Sequence, residues 1–239
     1  MLEKITPENI LFLDIETVPE MENFENLSAK KQELFTQKTA YQRKEEITPK
    51  DFYERAGIWA EFGKIVCISV GFFSSYTKNR TFRTKSFYDK DEKILLQNFK
   101  NLLEEHFSGK NHVLCAHNGK EFDFPYIARR MIINQIKLPE KLNLFGKKPW
   151  EIPHLDTLEL WKFGDYKHYT SLSLLTEILD IPSPKDDIDG SQVAQAYYQE
   201  KNIKRIVDYC EKDTIAVAQL LLRFKNDHLL TDDEIIVVK

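Results

Sequence analysis

The stretch ILFLDIETVPE, Ile10 to Glu20, decides how the rest of the chain is read. Its apolar opening is that of a buried strand. It then breaks into an acid, an isoleucine, a second acid and a threonine. Side chains alternate across a strand, so Asp14 and Glu16 share one face while Leu13 and Ile15 point into the core. Two like charges side by side repel unless something positive sits between them. A hard divalent cation, which takes oxygen ligands, is the plausible guest at neutral pH. The plain alternative is an exposed edge strand with two solvated acids, and D-x-E alone does not choose.

Two further stretches bear on the choice. In LCAHNGKEFDFPYIARRM a strand ends at Ala116, then His117, Asn118 and a turn lead to Asp123 just before a helix. The end of a buried strand in an open α/β sheet is where ligands usually bind. Asp in that place is also a common helix N-cap, and both roles are compatible. In DYCEKDTIAVAQLL, Tyr209 and Asp213 lie one helical turn apart and share a face. An acid among apolar neighbours is costly to bury without a partner. Together the stretches supply four carboxylates and a phenol. Four carboxylates can neutralise two divalent cations, which is what two-metal hydrolysis of a phosphodiester requires.

The surrounding pattern predicts an α/β fold with a mixed β-sheet flanked by helices. Strands are expected at 10–16, 63–73, 81–89 and 112–118, with an antiparallel start. Residues 153–163 read as a strand running into a helix. Helices are expected at 92–107, 123–135, 170–181 with Thr170 or Ser171 as cap, 186–200 opened by Gly190, and 201–224. Residues 20–60 read as a helical insertion, its second helix capped by Thr48, begun by Pro49 and ended by Gly57. No repeat or linker divides the 239 residues, so residues 1–239 are expected to form a single domain. The tail LLTDDEIIVVK fits no element.

Composition narrows the class. The formal net charge is −4, whereas duplex-coating proteins are usually basic. Any nucleic-acid partner is therefore held by a local patch or is short and single-stranded. The middle of the chain offers such a patch: Arg129, Arg130, Lys147, Lys148, Lys162 and Lys167, interleaved with Trp150, Phe163 and Tyr166. The three cysteines follow no metal or disulfide spacing. With no signal peptide and no apolar run of membrane-spanning length, a cytoplasmic protein without membrane contact is expected. His117 and His168 are either phosphate contacts or structural groups. Asp156 is either a substrate-positioning acid or a strand-end Asp bonded to backbone.

DIET, HNGKEFDFPYI and YCEKD resemble the three exonuclease motifs of the DEDD superfamily, which has a ribonuclease H-like fold. The closest likeness is to 3′–5′ exonuclease domains of family-B DNA polymerases and to stand-alone exonucleases similar to them. Tyr209, four residues before Asp213, matches the tyrosine branch, DEDDy. The position five residues before, a histidine in the other branch, is Asp208. The resemblance implies that Asp14, Glu16, Asp123 and Asp213 hold two Mg²⁺ or Mn²⁺ ions. Asp14 bridges them and Asp123 reaches the second. Tyr209 orients the attacking water, while Thr17, Asn118 and Phe122 meet the terminal nucleotide. The implied activity is a metal-dependent 3′–5′ exonuclease on single-stranded nucleic acid, expected to be DNA. An exoribonuclease of the same fold and a catalytically silent nucleic-acid-binding module are the alternatives. The insertion at 20–60 is longer than the motifs require, and no polymerase domain follows Asp213 in this sequence.

Overall fold

The computed structural model describes every residue except 1, 3, 4, 45, 183–187 and 239. Among these residues six strands form one mixed sheet: β1 (Ile10–Pro19), β2 (Gly63–Ser75), β3 (Thr81–Phe87), β4 (Val113–Ala116), β5 (Leu155–Asp156) and β6 (Ile235–Val237). Their spatial order is β5-β4-β1-β2-β3-β6. β1 pairs antiparallel with β2, and β2 antiparallel with β3. β4 runs parallel to β1, and β5 parallel to β4. The antiparallel start and the later crossovers are as the sequence predicts. β6 is the addition. The tail that fitted no element forms a 3₁₀ turn at Asp232–Glu234 and an edge strand parallel to β3. Glu234 also accepts from Arg80, which fastens the tail to the β2–β3 turn.

Among the described residues eight helices surround the sheet: α1 (Ala29–Thr39), α2 (Pro49–Phe52), α3 (Glu92–His106), α4 (Asp123–Ile133), α5 (Thr157–Lys162), α6 (Leu172–Ile178), α7 (Val193–Tyr198) and α8 (Ile203–Phe224). α3 and α4 cover one face, where Leu11, Leu13 and Ile15 pack against Leu96, Phe99, Phe124 and Ile127. α8 covers the other. Phe12 meets Val217 and Leu221 there, and Val18 meets Ile206 and Cys210. β1 is therefore central and buried on both sides. The edge-strand reading of Asp14 and Glu16 is excluded.

The insertion folds around Phe35, whose ring meets Tyr53, Trp59 and Phe62. Ser28 and Thr48 cap its two helices, and Pro49 opens the second as read. Gly57 does not end that helix. The chain passes at Tyr53 into a 3₁₀ segment through Ile58, and Gly57 lies against the Val18 backbone. A Cβ there would come within 3.1 Å of the Val18 carbonyl carbon, so close approach explains the glycine. Glu46, which precedes α2, follows the undescribed Glu45 inside the predicted insertion. Gly190 likewise does not open a helix. α7 begins at Val193, and residues 186 and 187 of the predicted helix lie outside the described residues.

A buried network joins these parts. Arg130 donates bidentately to Glu92, at 2.9 and 2.5 Å, and to the Ala60 carbonyl. Glu92 also accepts from the Ile65 amide. One ion pair thus ties the end of the insertion, the start of β2, α3 and α4. Arg130 is consequently not part of any phosphate-binding patch, contrary to the reading from its basic neighbours.

Candidate active site

β1 is longer than β4. Its parallel pairing with β4 covers only Ile10 to Phe12, so the later residues of β1 have no strand beside them on that flank. The chain leaves β4 at Ala116, turns, and enters α4 at Asp123 beside this gap. Asp123 is buried at the first helical turn, where backbone N–H groups are unsatisfied and favour an anion. The amides of Asp123 itself and of Ile15 both lower its carboxyl pKa. Phe122 rather than Asp123 occupies the N-cap position.

The turn before Asp123 is held by Asp156 at the end of β5. Its carboxylate accepts from the amides of Asn118 at 2.9 Å and Lys120 at 3.0 Å, and also from Leu158 and Glu159. This settles the two readings of Asp156 in favour of the backbone role. Asn118 adopts φ 61°, a left-handed conformation that Asn tolerates. His117 is structural too. Thr157 and the Thr170 carbonyl engage its two ring nitrogens, and burial lowers its pKa.

Asp14 and Glu16 face α8 from the middle of β1. The β1–β2 register shifts between Glu16 and Thr17, an irregularity of the kind that re-aims side chains beside active sites. Across from them α8 presents Tyr209, Cys210 and Asp213. Two bonds set the helix against the sheet. The Cys210 thiol donates to the Asp14 carbonyl at 3.3 Å, and the Thr214 hydroxyl to the Ser69 carbonyl at 3.3 Å.

The four carboxylates are close enough to perturb one another. Burial pushes Asp14 well above the usual carboxylate range, and the charges of Glu16, Asp213 and Asp123 push it further. Glu16 is raised by burial and then by Asp213, with smaller effects of Cys67 and Asp123. Burial raises Asp123 to about 8. Asp14 Oδ2 is fully buried and has no hydrogen-bond partner. A buried acceptor without a partner, set among like charges, suits a cation.

Asp14, Glu16 and Cys210 each place a ligand-type atom within 4.8 Å of the other two. The oxygen atoms suit a hard cation. The thiol does not, because burial raises its pKa and it already donates to the Asp14 carbonyl. Tyr209 hydrogen-bonds to Asp213, and its pKa is raised by burial and by Asp213, Glu16 and Asp14. It stays a phenol throughout the neutral range.

The three expected substrate contacts separate. Asn118 and Phe122 are half-buried in the turn leading to Asp123. The Phe122 ring lies 5.3 Å from that of Tyr126. Thr17 is half-buried and hydrogen-bonds to the Tyr126 phenol, so it lies on the α4 side of β1 rather than with Asp14 and Glu16. Tyr169 belongs to none of the sequence motifs. Its phenol pKa is raised first by desolvation and then by Asp123 and Asp156, which sets it in the field of the acids. No spacing rule links Tyr169 to Asp123, and only the fold brings them together.

Residues 58–234 match the model of a family described as "Predicted 3'-5' exonuclease related to the exonuclease domain of PolB". Among solved structures, the family B DNA polymerase from the hyperthermophilic archaeon Pyrobaculum calidifontis is similar, with a TM-score of 0.55 and 16% identity. The match covers 89% of this chain and 24% of the polymerase. At that identity the likeness concerns the fold, which is ribonuclease H-like. Among the described residues, no helix is long and apolar enough to cross a membrane.

Proposed function

The chain belongs to the family of predicted 3′–5′ exonucleases related to the exonuclease domain of PolB, and from that premise we propose that it hydrolyses single-stranded nucleic acid, with DNA as the preferred substrate, from the 3′ end with two divalent cations. Residues 1–239 act as one exonuclease domain in this reading. The observation that supports it is that the charges of Glu16 on β1, Asp123 on α4 and Asp213 on α8 all act on Asp14, whose Oδ2 is buried without a hydrogen-bond partner.

Asp14, Glu16 and Asp213 would hold one Mg²⁺ or Mn²⁺, and Asp14 and Asp123 the other. Bound there, the pair of cations would supply an acidified water and charge stabilisation for the departing 3′ oxygen. The protein's own groups do the rest. Tyr209, kept protonated by burial and by its acidic neighbours, positions the attacking water by hydrogen bonding and is no general base. Asn118 and Phe122 flank Asp123 and orient the terminal nucleotide, one by hydrogen bond and one by packing. Thr17 acts by holding Tyr126 and the wall on the α4 side. The three free cysteines, all buried, accord with a reducing, cytoplasmic setting.

The test uses oligonucleotides labelled at the 3′ or the 5′ end, as DNA and as RNA, with Mg²⁺, Mn²⁺ or EDTA. Stepwise release of mononucleotides from the 3′ end of DNA, abolished by EDTA, is expected. Release from RNA alone would make the enzyme an exoribonuclease. Internal cuts would overturn the exonuclease reading. Binding without any cleavage would replace it with a silent binding module.

A further inference from the structure

Exposed aromatic rings are not scattered over this molecule. Among the described residues seven large aromatics are exposed, and five of them, Phe145, Trp150, Phe163, Tyr166 and Tyr169, fall within residues 145–169. Phe163 is 91% exposed and is held at φ 45°, followed by Gly164 at φ 90°. A phenylalanine in the left-handed region is strained, and this one gains no burial in return. Nothing within the fold calls for a ring at that place.

Cations alternate with the rings. Lys148 Nζ lies 5.3 Å from the Trp150 ring centre, and Lys162 Nζ 5.9 Å from that of Tyr166. Lys147 and Lys167 are exposed beside them. Among the described residues none of these four lysines is paired with a carboxylate. Their neighbours Lys120 and Arg130 are both taken, by Glu159 and Glu92. A cleft of about 410 Å³ is lined both by Asn118 and Glu121 of the turn that leads to Asp123 and by Trp150, Lys162 and Tyr166 of this strip. The Tyr169 ring lies 6.5 Å from the ring of His117, which begins the same turn.

We propose that this strip is a track for the single strand behind its reacting 3′ end, with bases stacked on Trp150, Phe163 and Tyr166 and phosphates met by Lys147, Lys148, Lys162 and Lys167. The assignment of which end enters the acidic cluster rests on the exonuclease reading; the binding of a polynucleotide does not. A chain of net charge −4 with buried acids at its reacting centre needs local attraction for a polyanion. Rings separated by unpaired cations suit a strand whose bases and phosphates alternate. A protein interface would instead be expected to merge its rings into one apolar centre with the charges at its rim.

The experiment measures fluorescence anisotropy of labelled oligo(dT) and oligo(U), each of about 15 nucleotides, with the full chain in EDTA. Trp150→Ala, Phe163→Ala and Tyr166→Ala are each expected to weaken binding about tenfold, with Trp150→Phe restoring most of it and melting curves matching the wild type. Lys147→Gln with Lys148→Gln should lower the slope of log affinity against log salt by about 1.4. Equal affinity for the two oligomers would make the track indifferent to the sugar, and preference for one would name the substrate. Ring variants that bind like the wild type would overturn the proposal. So would a wild type that binds neither oligomer but self-associates in sedimentation through Trp150. Hydrolysis of the p-nitrophenyl ester of thymidine 5′-monophosphate by the wild type with Mn²⁺ tests the chemistry separately. Its absence would count against the exonuclease reading and leave the anisotropy result to decide the track.

Discussion

Asp14→Asn should stabilise the metal-free protein and at the same time remove its response to cations. Asp14 sits in a cluster in which Asp14, Glu16 and Asp123 are shifted toward protonation by burial and by the charges around them. For Asp123 the rise is from 3.8 to about 8. At ~1.4 kcal/mol per pH unit, that places on the order of 6 kcal/mol of strain in the ionised cluster. The strain is shared, so neutralising one member relieves only part of it, about 1–2 kcal/mol if the remaining acids return by about one pH unit. For a chain of this size 1 kcal/mol moves Tm by about 2–4 °C. The variant should therefore melt roughly 2–8 °C higher than the wild type in EDTA at neutral pH. Cations act in the opposite sense on the pair. At a hundred times Kd a bound ligand adds ~2.7 kcal/mol, or roughly 5–11 °C, to the wild type. The variant, lacking the bridging acid, should gain little.

The sign with pH follows from the same shifts. A carboxyl whose pKa is raised on folding binds its proton more tightly in the folded state. That contribution is complete below the unfolded value near 4 and is lost as pH rises through the folded value, about 8 for Asp123. In EDTA, Tm should fall across this window, and the shift produced by Mn²⁺ should grow across it. Differential scanning calorimetry with and without Mn²⁺ at several pH values reads both effects. A variant that melts lower than the wild type in EDTA, with an undiminished cation shift, would refute the reasoning: the acids would then be neither strained nor a cation site.

Other perturbations separate site from scaffold. Asp14→Ala and Asp213→Ala should abolish release of 3′ nucleotides with far-UV circular dichroism unchanged, whereas Tyr209→Phe, which keeps the ring, should slow it less; full activity in Asp213→Ala would exclude it from the chemistry. Arg130→Ala strands the buried Glu92 carboxylate and should destabilise the protein by about 3–5 kcal/mol in chemical denaturation. His154 accepts from the Leu114 amide and donates to the Lys141 carbonyl, and burial lowers its pKa to about 4. Its contribution is present above the unfolded value near 6.5 and lost as pH falls through about 4. His154→Gln should flatten that part of the stability profile relative to the wild type, by about 3 kcal/mol over the window.

The strands, the long helices and the acids were legible because each is a local signal. β1, β2 and α8 carry apolar runs or helical spacing over many residues, and Asp14, Glu16 and Asp213 interrupt such patterns. β6 was not legible. Its three residues pair with β3 at the sheet edge, and two of them are exposed, so no alternation marks them. Gly57 misled because a glycine near a helical run reads as a terminator, while its actual cause is the Val18 backbone some forty residues away in sequence. Arg130 misled for a related reason. Beside Arg129 it looks like half of a basic patch, but on α4 the two point apart, one into the core and one into solvent.

A central strand is a costly place for two acids on stability alone, since burial raises the energy of each and their neighbours add to it. The fold limits that strain through geometry. Because β4 stops where β1 continues, Ile15 has an amide free to meet Asp123, and the α4 N-terminus adds another. Because α8 is bonded to the sheet through Cys210 and Thr214, Asp213 is presented at a fixed depth with Tyr209 one turn before it. These contacts lower the carboxylates only partly, and Asp14 Oδ2 is left with nothing. What remains unsatisfied is anionic, oxygen-only and rigidly held, so the guest that completes it must be cationic and hard. A polyanion can approach such a centre only when cations accompany it or line its path, and Lys162 lines the cleft that reaches the turn before Asp123.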